Sequence, residues 1–262
     1  MPVPLGMKAR IEGESQWREF QARNVAGYIE GADERLKERS IILSAHIDHL
    51  GMDTSLSGDN IFNGAIDNGS AVASMIATAK SLRERQEELR YSVIVLACNA
   101  EEAGLLGSRY FAGSLDPEKI VTNINFESTP VWEKARDFIA VGARYSSLED
   151  IITKVAAERG LDYSYFSMSN QGFFYRSDQF SFARRGIPAV WLSAGEDYES
   201  GVNRLSDFFL GDYHTVNDEF NPDWELESTL QTVMVALDLI DYINRQTPRL
   251  EWKGRMTFPV EK

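Results

Sequence analysis

Short, nearly unbroken apolar runs recur along the chain, separated by polar or amphipathic stretches. IILSAH (41–46), YSVIVLACNA (91–100), KIVTNINFE (119–127), DFIAVGA (137–143) and IPAVWLSAG (187–195) each predict a strand. Runs of this kind belong to strands covered on both faces, as in parallel or mixed sheets. Between them lie helical patterns. Residues 70–85 carry Ala73, Ile76, Ala77 and Ala79, which suit a helix packed on a sheet. AGLLGSRYFAG (103–113) predicts a short helix ending before Pro117, and SLEDIITKVAAERG (147–160) an amphipathic one stopped by Gly160. The clearest helix is PDWELESTLQTVMVALDLIDYINRQ (222–246), with Pro222 near its start and acidic residues in its first turns. Alternation over 8–31 predicts two strands joined by a turn near residues 13–14. Residues 31–40 and the Gly-, Ser- and Asp-rich stretch 51–64 read as loops. Strands alternating with helices predict an α/β fold: a mixed, largely parallel central sheet with helices on both faces.

Composition narrows the possibilities. At 262 residues and 43% hydrophobic content the chain can bury one large core, and a single domain over 1–262 is expected. A net charge of -13 argues against nucleic acid or an anionic membrane surface as partner. The single cysteine, Cys98, lies inside an apolar run, so no disulfide framework exists and Cys98 reads as a core residue. No run reaches the length of a membrane span, and MPVPLGMKARIEGE lacks the apolar segment of a signal peptide. Compartment is left open: secreted or periplasmic if a leader has been removed, otherwise cytoplasmic. Oligomeric state is not readable.

Candidate chemistry gathers where apolar strands end. LSAHIDHLG delivers His46, Asp48 and His49 at one strand's C-terminal end, the place where open α/β sheets build sites. His46 and Asp48 share a strand face, and a carboxylate beside a metal-bound imidazole fixes its tautomer. Hydrogen-bonded histidines at a strand end would look the same; His49 is expected in a supporting place rather than as a ligand. Asp67 in NGAIDNGSA precedes a helix and reads either as an N-cap or as a carboxylate bridging two cations. In ACNAEEAGLLGS, Glu101 and Glu102 are adjacent and must point differently. One can bind a metal while the other acts as a general base, or both can be the acidic first turn of a helix. Glu127 ends another strand, and His214, one of three histidines, sits in the polar loop GDYHTVNDEF beside Tyr213. Surface positions would explain each of these two alone. Together, two imidazoles and three carboxylates make a mixed donor set that suits zinc, with cobalt or manganese as chemical substitutes.

SAHIDHLG, GDNIFNGAIDNGSA, NAEEAGLLGSRYF, NINFE, RSDQFSFARRGIPAVWLSAG and YHTVNDEFNPDW occur in that order. In this the chain resembles the co-catalytic dizinc aminopeptidases, whose relatives include glutamate carboxypeptidase II and the glutaminyl cyclases. The resemblance implies the zinc exopeptidase (phosphorylase/hydrolase-like) fold, two zinc ions per chain and a peptide substrate. It implies His46 and Glu127 on one metal, Glu102 and His214 on the other, and Asp67 bridging. Glu101 matches the general base, Asp48 the carboxylate behind His46, and Tyr213 a hydroxyl that steadies the oxyanion. Carboxypeptidase or glutaminyl cyclase chemistry, or a silent scaffold of the same fold, are the alternatives. Three departures stand out. Position 127 is usually aspartate in the aminopeptidases. Ser177–Asp178 is followed by Gln179 where relatives often carry histidine, expected here as pocket wall. The N-terminal helix and protease-associated insert of relatives are expected to be missing ahead of the metal motifs, whether the chain is truncated or a natural short form. Residues 53–62 and 195–212 are expected at the pocket rim; under the carboxypeptidase alternative, Arg176, Arg184 or Arg185 would supply the cation that clamps a substrate's free carboxylate.

Overall fold

A computed structural model describes residues 6–8, 10–15, 19–254 and 258–260. Its strands are β1 (Val25–Ile29), β2 (Ser40–His46), β3 (Gly51–Met52), β4 (Ile61–Phe62), β5 (Ser92–Cys98), β6 (Ile120–Phe126), β7 (Asp137–Val141), β8 (Asp162–Ser164) and β9 (Ala189–Ala194). Its helices are α1 (Ala71–Glu84), α2 (Leu106–Ser114), α3 (Leu148–Glu158), α4 (Gln179–Ala183), α5 (Arg204–Leu210) and α6 (Glu227–Gln246).

Seven strands form the main sheet in the order β1-β5-β2-β6-β9-β7-β8. The centre, β5-β2-β6-β9, is parallel, while β1 pairs antiparallel with β5 and β7 antiparallel with β9. Alternate residues of each strand supply two cores. Ile41, Leu43 and Ala45 of β2 join Val93, Ile124 and Leu192 under α1, α3 and α6. Ile42 joins Leu96, Ile139 and Trp191 on the opposite face, with Ala112 of α2 and Phe182 of α4. His46, in phase with Ile42, is carried on the α2/α4 side, just where β2 ends.

Several expectations are corrected here. Residues 10–15 and 19–24 form no strand, so of the expected pair only β1 exists among the described residues; residues 9 and 16–18 lie outside them. β1 is a sheet edge with Val25 63% and Tyr28 60% exposed, so its alternation has no covering layer to enforce it. The Gly-rich loop at 51–64 contains the β3–β4 hairpin. Helix α1 turns Ile76 outward and buries Ala71, Ser74, Met75, Thr78 and Leu82. The hydroxyls of Ser74 and Thr78 donate to the carbonyls of Ser70 and Ser74, which makes them acceptable inside. Helix α6 begins at Glu227, not near Pro222: Leu226 has φ 59°, and its N–H reaches Val131 O. Helices α4 and α5 and strand β8 form where the hydrophobic pattern predicts no element. No helix is long and apolar enough to cross a membrane among the described residues.

Candidate metal centre

Parallel strands β5, β2 and β6 end side by side, His46 being in register with Cys98 and Ser44 with Asn125. The segments that leave these ends hold His46, Glu101, Glu102 and Glu127. Asp67 arrives in the turn Ala65–Ser70 ahead of α1, where Asp67 and Asn68 depart from helical dihedrals and the peptide bond between them is cis. The carboxylate of Asp218 holds this turn by accepting the N–H groups of Ile66 (2.7 Å) and Asp67 (2.9 Å). Gly64 allows it. At φ 63°, a Cβ there would lie 2.4 Å from Asp67 O and 2.7 Å from His49 Cγ. His214, at φ 60°, comes from the loop after α5.

These side chains converge. His46 Nε2 is 2.9 Å from Glu127 Oε1 and 3.2 Å from Asp67 Oδ1. His214 Nε2 is 3.2 Å from Asp67 Oδ2 and 3.3 Å from Glu102 Oε2. Asp67 therefore turns its two oxygens towards two different imidazoles. The ligating atoms of His46, Asp67 and Glu127 all lie within 4.8 Å of one another, as do those of His49, Asp67 and Glu102 and those of His46, Glu101 and Glu102. His46 and Asp67 are each 1% exposed.

Supporting contacts orient the cluster. His46 Nδ1 donates to the carbonyl of Asp48 at 2.9 Å, so Nδ1 carries the proton and Nε2 faces the carboxylates. The Asp48 carboxylate lies farther from the ring, at 3.8 Å, and instead accepts the N–H groups of Glu101 (3.1 Å) and Glu102 (3.2 Å). It thus positions both glutamates, and the main chain of Asp48, rather than the carboxylate expected behind His46, backs the imidazole. Glu127, despite its extra methylene, reaches His46, and its Oε2 accepts from Asn125 Nδ2 at 3.0 Å. The same amide donates to Gln179 Oε1 at 3.1 Å. Gln179 is fully buried behind Glu127, bonded also to Ser177 and the carbonyl of Phe174, and is not the pocket wall expected of it. Its amide satisfies Asn125, a role that its charge-free side chain suits in a dry site.

His49 sits closer to the cluster than expected: its Nδ1 is 2.9 Å from Glu102 Oε1 and 3.8 Å from Asp67 Oδ2. The His46-x-x-His49 spacing carried that signal. Nothing in the sequence marked Asp218, Asn125 or the buried Asp178, which gather from distant segments. Tyr213 stacks on His214 with ring centroids 3.9 Å apart and lines the cavity that opens onto Glu101 and Glu102. That cavity is walled by residues of α2, α4 and the turn before α4, rather than by 53–62 or 195–212.

Electrostatics follow from the crowding. Burial, with the Glu127 charge added, pushes Glu101 up to about 10. Burial likewise raises Glu127 to about 7 although the His46 charge opposes it. Burial also works against ionised Glu102, but hydrogen bonds from His214 and His49 win and hold it at about 2. His214 is raised to about 9: burial opposes this, and hydrogen bonds to Asp67 and Glu102 outweigh it. Burial raises Tyr213 above the usual phenol range, with Asp67 and Glu127 adding to it.

The donor set fits a cation. Asp67 Oδ2 and His214 Nε2 are buried and face each other at 3.2 Å, yet the contact is too poorly aligned to satisfy either atom fully. Zinc bonds of about 2.0–2.1 Å at tetrahedral angles place ligand atoms roughly 3.3 Å apart. The separations of 3.2, 3.2 and 3.3 Å given above match that spacing.

The model of peptidase family M28 matches residues 24–238. The chain belongs to peptidase family M28. Solved structures give the same fold. Acidobacteriales bacterium glutaminyl cyclase is 21% identical, with a TM-score of 0.60 over 85% of this chain and 74% of its own. BSAP, a zinc aminopeptidase from Bacillus subtilis, is 22% identical, with a TM-score of 0.57 over 86% of this chain and 50% of its own. The Legionella pneumophila LapA aminopeptidase is 17% identical, with a TM-score of 0.61 over 84% of this chain and 57% of its own. The M28 chain thus spans half to three fifths of the length of these two aminopeptidases. Among curated proteins no sequence match is found. Membership of M28 places the chain among enzymes of the peptidase class.

Proposed function

We propose that this M28 chain is a two-zinc exopeptidase that removes amino-terminal residues. The observation that carries the reading is the Asp67 carboxylate, whose Oδ1 is 3.2 Å from His46 Nε2 and whose Oδ2 is 3.2 Å from His214 Nε2. A bridging carboxylate with one imidazole on each side is what a pair of cations about 3.5–4 Å apart needs. His46 and Glu127 would hold one zinc, Glu102 and His214 the other, with Asp67 shared. His49 Nδ1, 2.9 Å from Glu102 Oε1, orients that carboxylate.

When bound, such a pair supplies Lewis acidity, polarising the scissile carbonyl and lowering the pKa of water towards about 7. The protein groups do the rest. Glu101, nearly buried and held by its N–H to Asp48, takes the proton of the attacking water and returns it to the leaving amine. Tyr213, kept protonated by burial, donates to the developing oxyanion. Glu127 and Glu101 hold the substrate's free ammonium group, which selects chain ends over internal bonds.

Aminoacyl chromogenic substrates test this directly. Hydrolysis of free-amine substrates is expected, lost with a chelator and restored by zinc, with N-acetylated analogues left intact. Equal cleavage of acetylated substrates, or activity indifferent to chelation, would overturn the aminopeptidase assignment.

A further inference from the structure

Strand β5 passes into α2 through the loop 99–105, which carries Glu101 and Glu102. This loop folds against ordinary backbone preference. Ala100 (φ 59°), Gly104 (φ 100°) and Leu105 (φ 60°) all lie in the left-handed region, although two of them carry a side chain. Its own bonds turn inward: the N–H groups of Gly104 and Leu105 both donate to Glu101 O at 2.8 Å, and that of Leu106 donates to Ala100 O at 3.0 Å. A backbone of this kind persists only when contacts from outside over-determine it.

On the inner side that contact is Asp48, whose carboxylate accepts from Glu101 and Glu102. On the outer side it comes from the sheet edge. Asn24 stands immediately before β1. Val25 is still opposite Ala97 of β5, and there the pairing of the two strands ends. Beyond that point the Asn24 side chain takes over from the main chain. Its Oδ1 accepts the N–H of Asn99 at 3.0 Å, and its Nδ2 donates to Gly107 O at 2.8 Å. An asparagine amide offers a carbonyl and an N–H, as a peptide group does. Here it ties together the two stems of the loop, one where β5 ends and one where α2 begins. Gly107 keeps the space for it: a Cβ there would collide with Asn99 O and with the Asn24 amide oxygen.

Asn24 acts from behind the loop. The cavity at Glu101 and Glu102 is lined by Gly104 and Leu105 but not by Asn24. Asn24, Asn99 and Gly107 line a separate groove with Phe20 and Tyr110. Filling two backbone hydrogen bonds would be the plainer role, but both bonds are only partly buried, so water could fill them. Only one planar amide bonded to both stems also fixes the distance between them.

We propose that Asn24 is a positioning residue of the active site: by tying Asn99 to Gly107, it sets where Glu101 meets the attacking water and where Glu102 meets its cation. The inference rests on the two-zinc peptidase reading above. Because Asn24 works through the loop, it governs turnover and the metal held by Glu102, and leaves substrate binding alone.

Three variants test this. Asn24→Ala removes the tie. Asn24→Asp keeps the acceptor for Asn99 and loses the donor to Gly107. Tyr28→Phe removes a neighbouring β1–β5 bond, from the Tyr28 hydroxyl to Ser92 Oγ at 2.7 Å, without touching the loop. Each zinc-loaded protein is assayed on an aminoacyl chromogenic substrate, and each metal-free form is titrated with zinc by calorimetry, with circular dichroism to verify folding. In both Asn24 variants kcat is expected to fall by on the order of tenfold or more with KM within about twofold, and one of two zinc-binding steps to weaken by a similar factor. Tyr28→Phe is expected to match the unaltered protein in both readouts, even where it melts at a lower temperature. Should Asn24→Ala not fold, Asn24→Asp decides by the same criteria. Unchanged kcat and zinc affinity in a folded Asn24 variant would overturn the inference, and so would a loss shared in full by Tyr28→Phe or a loss confined to KM. No cleavage by the unaltered protein, with a zinc step weakened in the Asn24 variants alone, would sink the peptidase reading and keep the positioning role at the metal.

Discussion

Glu101→Gln is expected to keep zinc and to lower kcat by about 10²–10⁴-fold, the usual worth of a positioned general base. The substitution preserves size and the N–H bond to Asp48, so the loop that carries Glu102 stays in place. What disappears is the ability to take and return a proton. Burial and the neighbouring Glu127 charge hold Glu101 protonated in the metal-free chain, at about 10, and a bound pair of cations would draw it down towards the range of a working base. Zinc content by atomic emission, read beside steady-state kinetics, separates the two effects. A variant that kept full turnover with its metal bound would remove Glu101 from the mechanism.

Asp67→Ala is expected to be more damaging still, reducing zinc affinity by more than about a hundredfold and abolishing turnover, since both cations lose a ligand at once. Its consequences extend to stability without metal. Burial disfavours ionised Asp67, but the hydrogen bonds from His214 and His46 win and hold its pKa below the ordinary carboxylate range. A depressed pKa contributes stability above the unfolded value near 3.8 that is lost as pH falls further. His214, raised from 6.5 to about 9, contributes stability below pH 6.5 that is lost as pH rises through about 9. Glu101 and Glu127, raised from 4.5 to about 10 and about 7, likewise contribute stability that is lost as pH rises, so metal-free protein should be most stable near pH 4 and weaken towards pH 9. In Asp67→Ala that alkaline decline should flatten. Thermal melts across this pH range, with chelator present, provide the check, and an unchanged profile would contradict the coupling.

Much of this was legible in the chain itself, for physical reasons that differ from element to element. Strands β2, β5, β6 and β9 are covered on both faces, so their apolar runs survive intact in the sequence. The donors then stand at the ends of those runs, where the sheet must place them together. Features that depend on tertiary contact were not legible. Helix α1 buries Ser74 and Thr78 and exposes Ile76, reversing what hydrophobicity alone implies. The start of α6 is set by Leu226 and Ser228 bonding to Val131 and Trp132 across the chain. The edge strand β1 lacks a partner on its outer side, so alternation upstream of it specified nothing among the described residues. Gln179 illustrates the same limit within the site: only the folded chain reveals Asn125 between it and Glu127.

The proposed dimetal centre is tested most directly by anomalous scattering from crystals of the zinc-loaded protein, with data on both sides of the zinc absorption edge. Two peaks are expected roughly 3.5–4 Å apart on either side of the Asp67 carboxylate. One should lie against His46 and Glu127, the other against Glu102 and His214. A single peak, or none within reach of Asp67 in fully loaded protein, would contradict it.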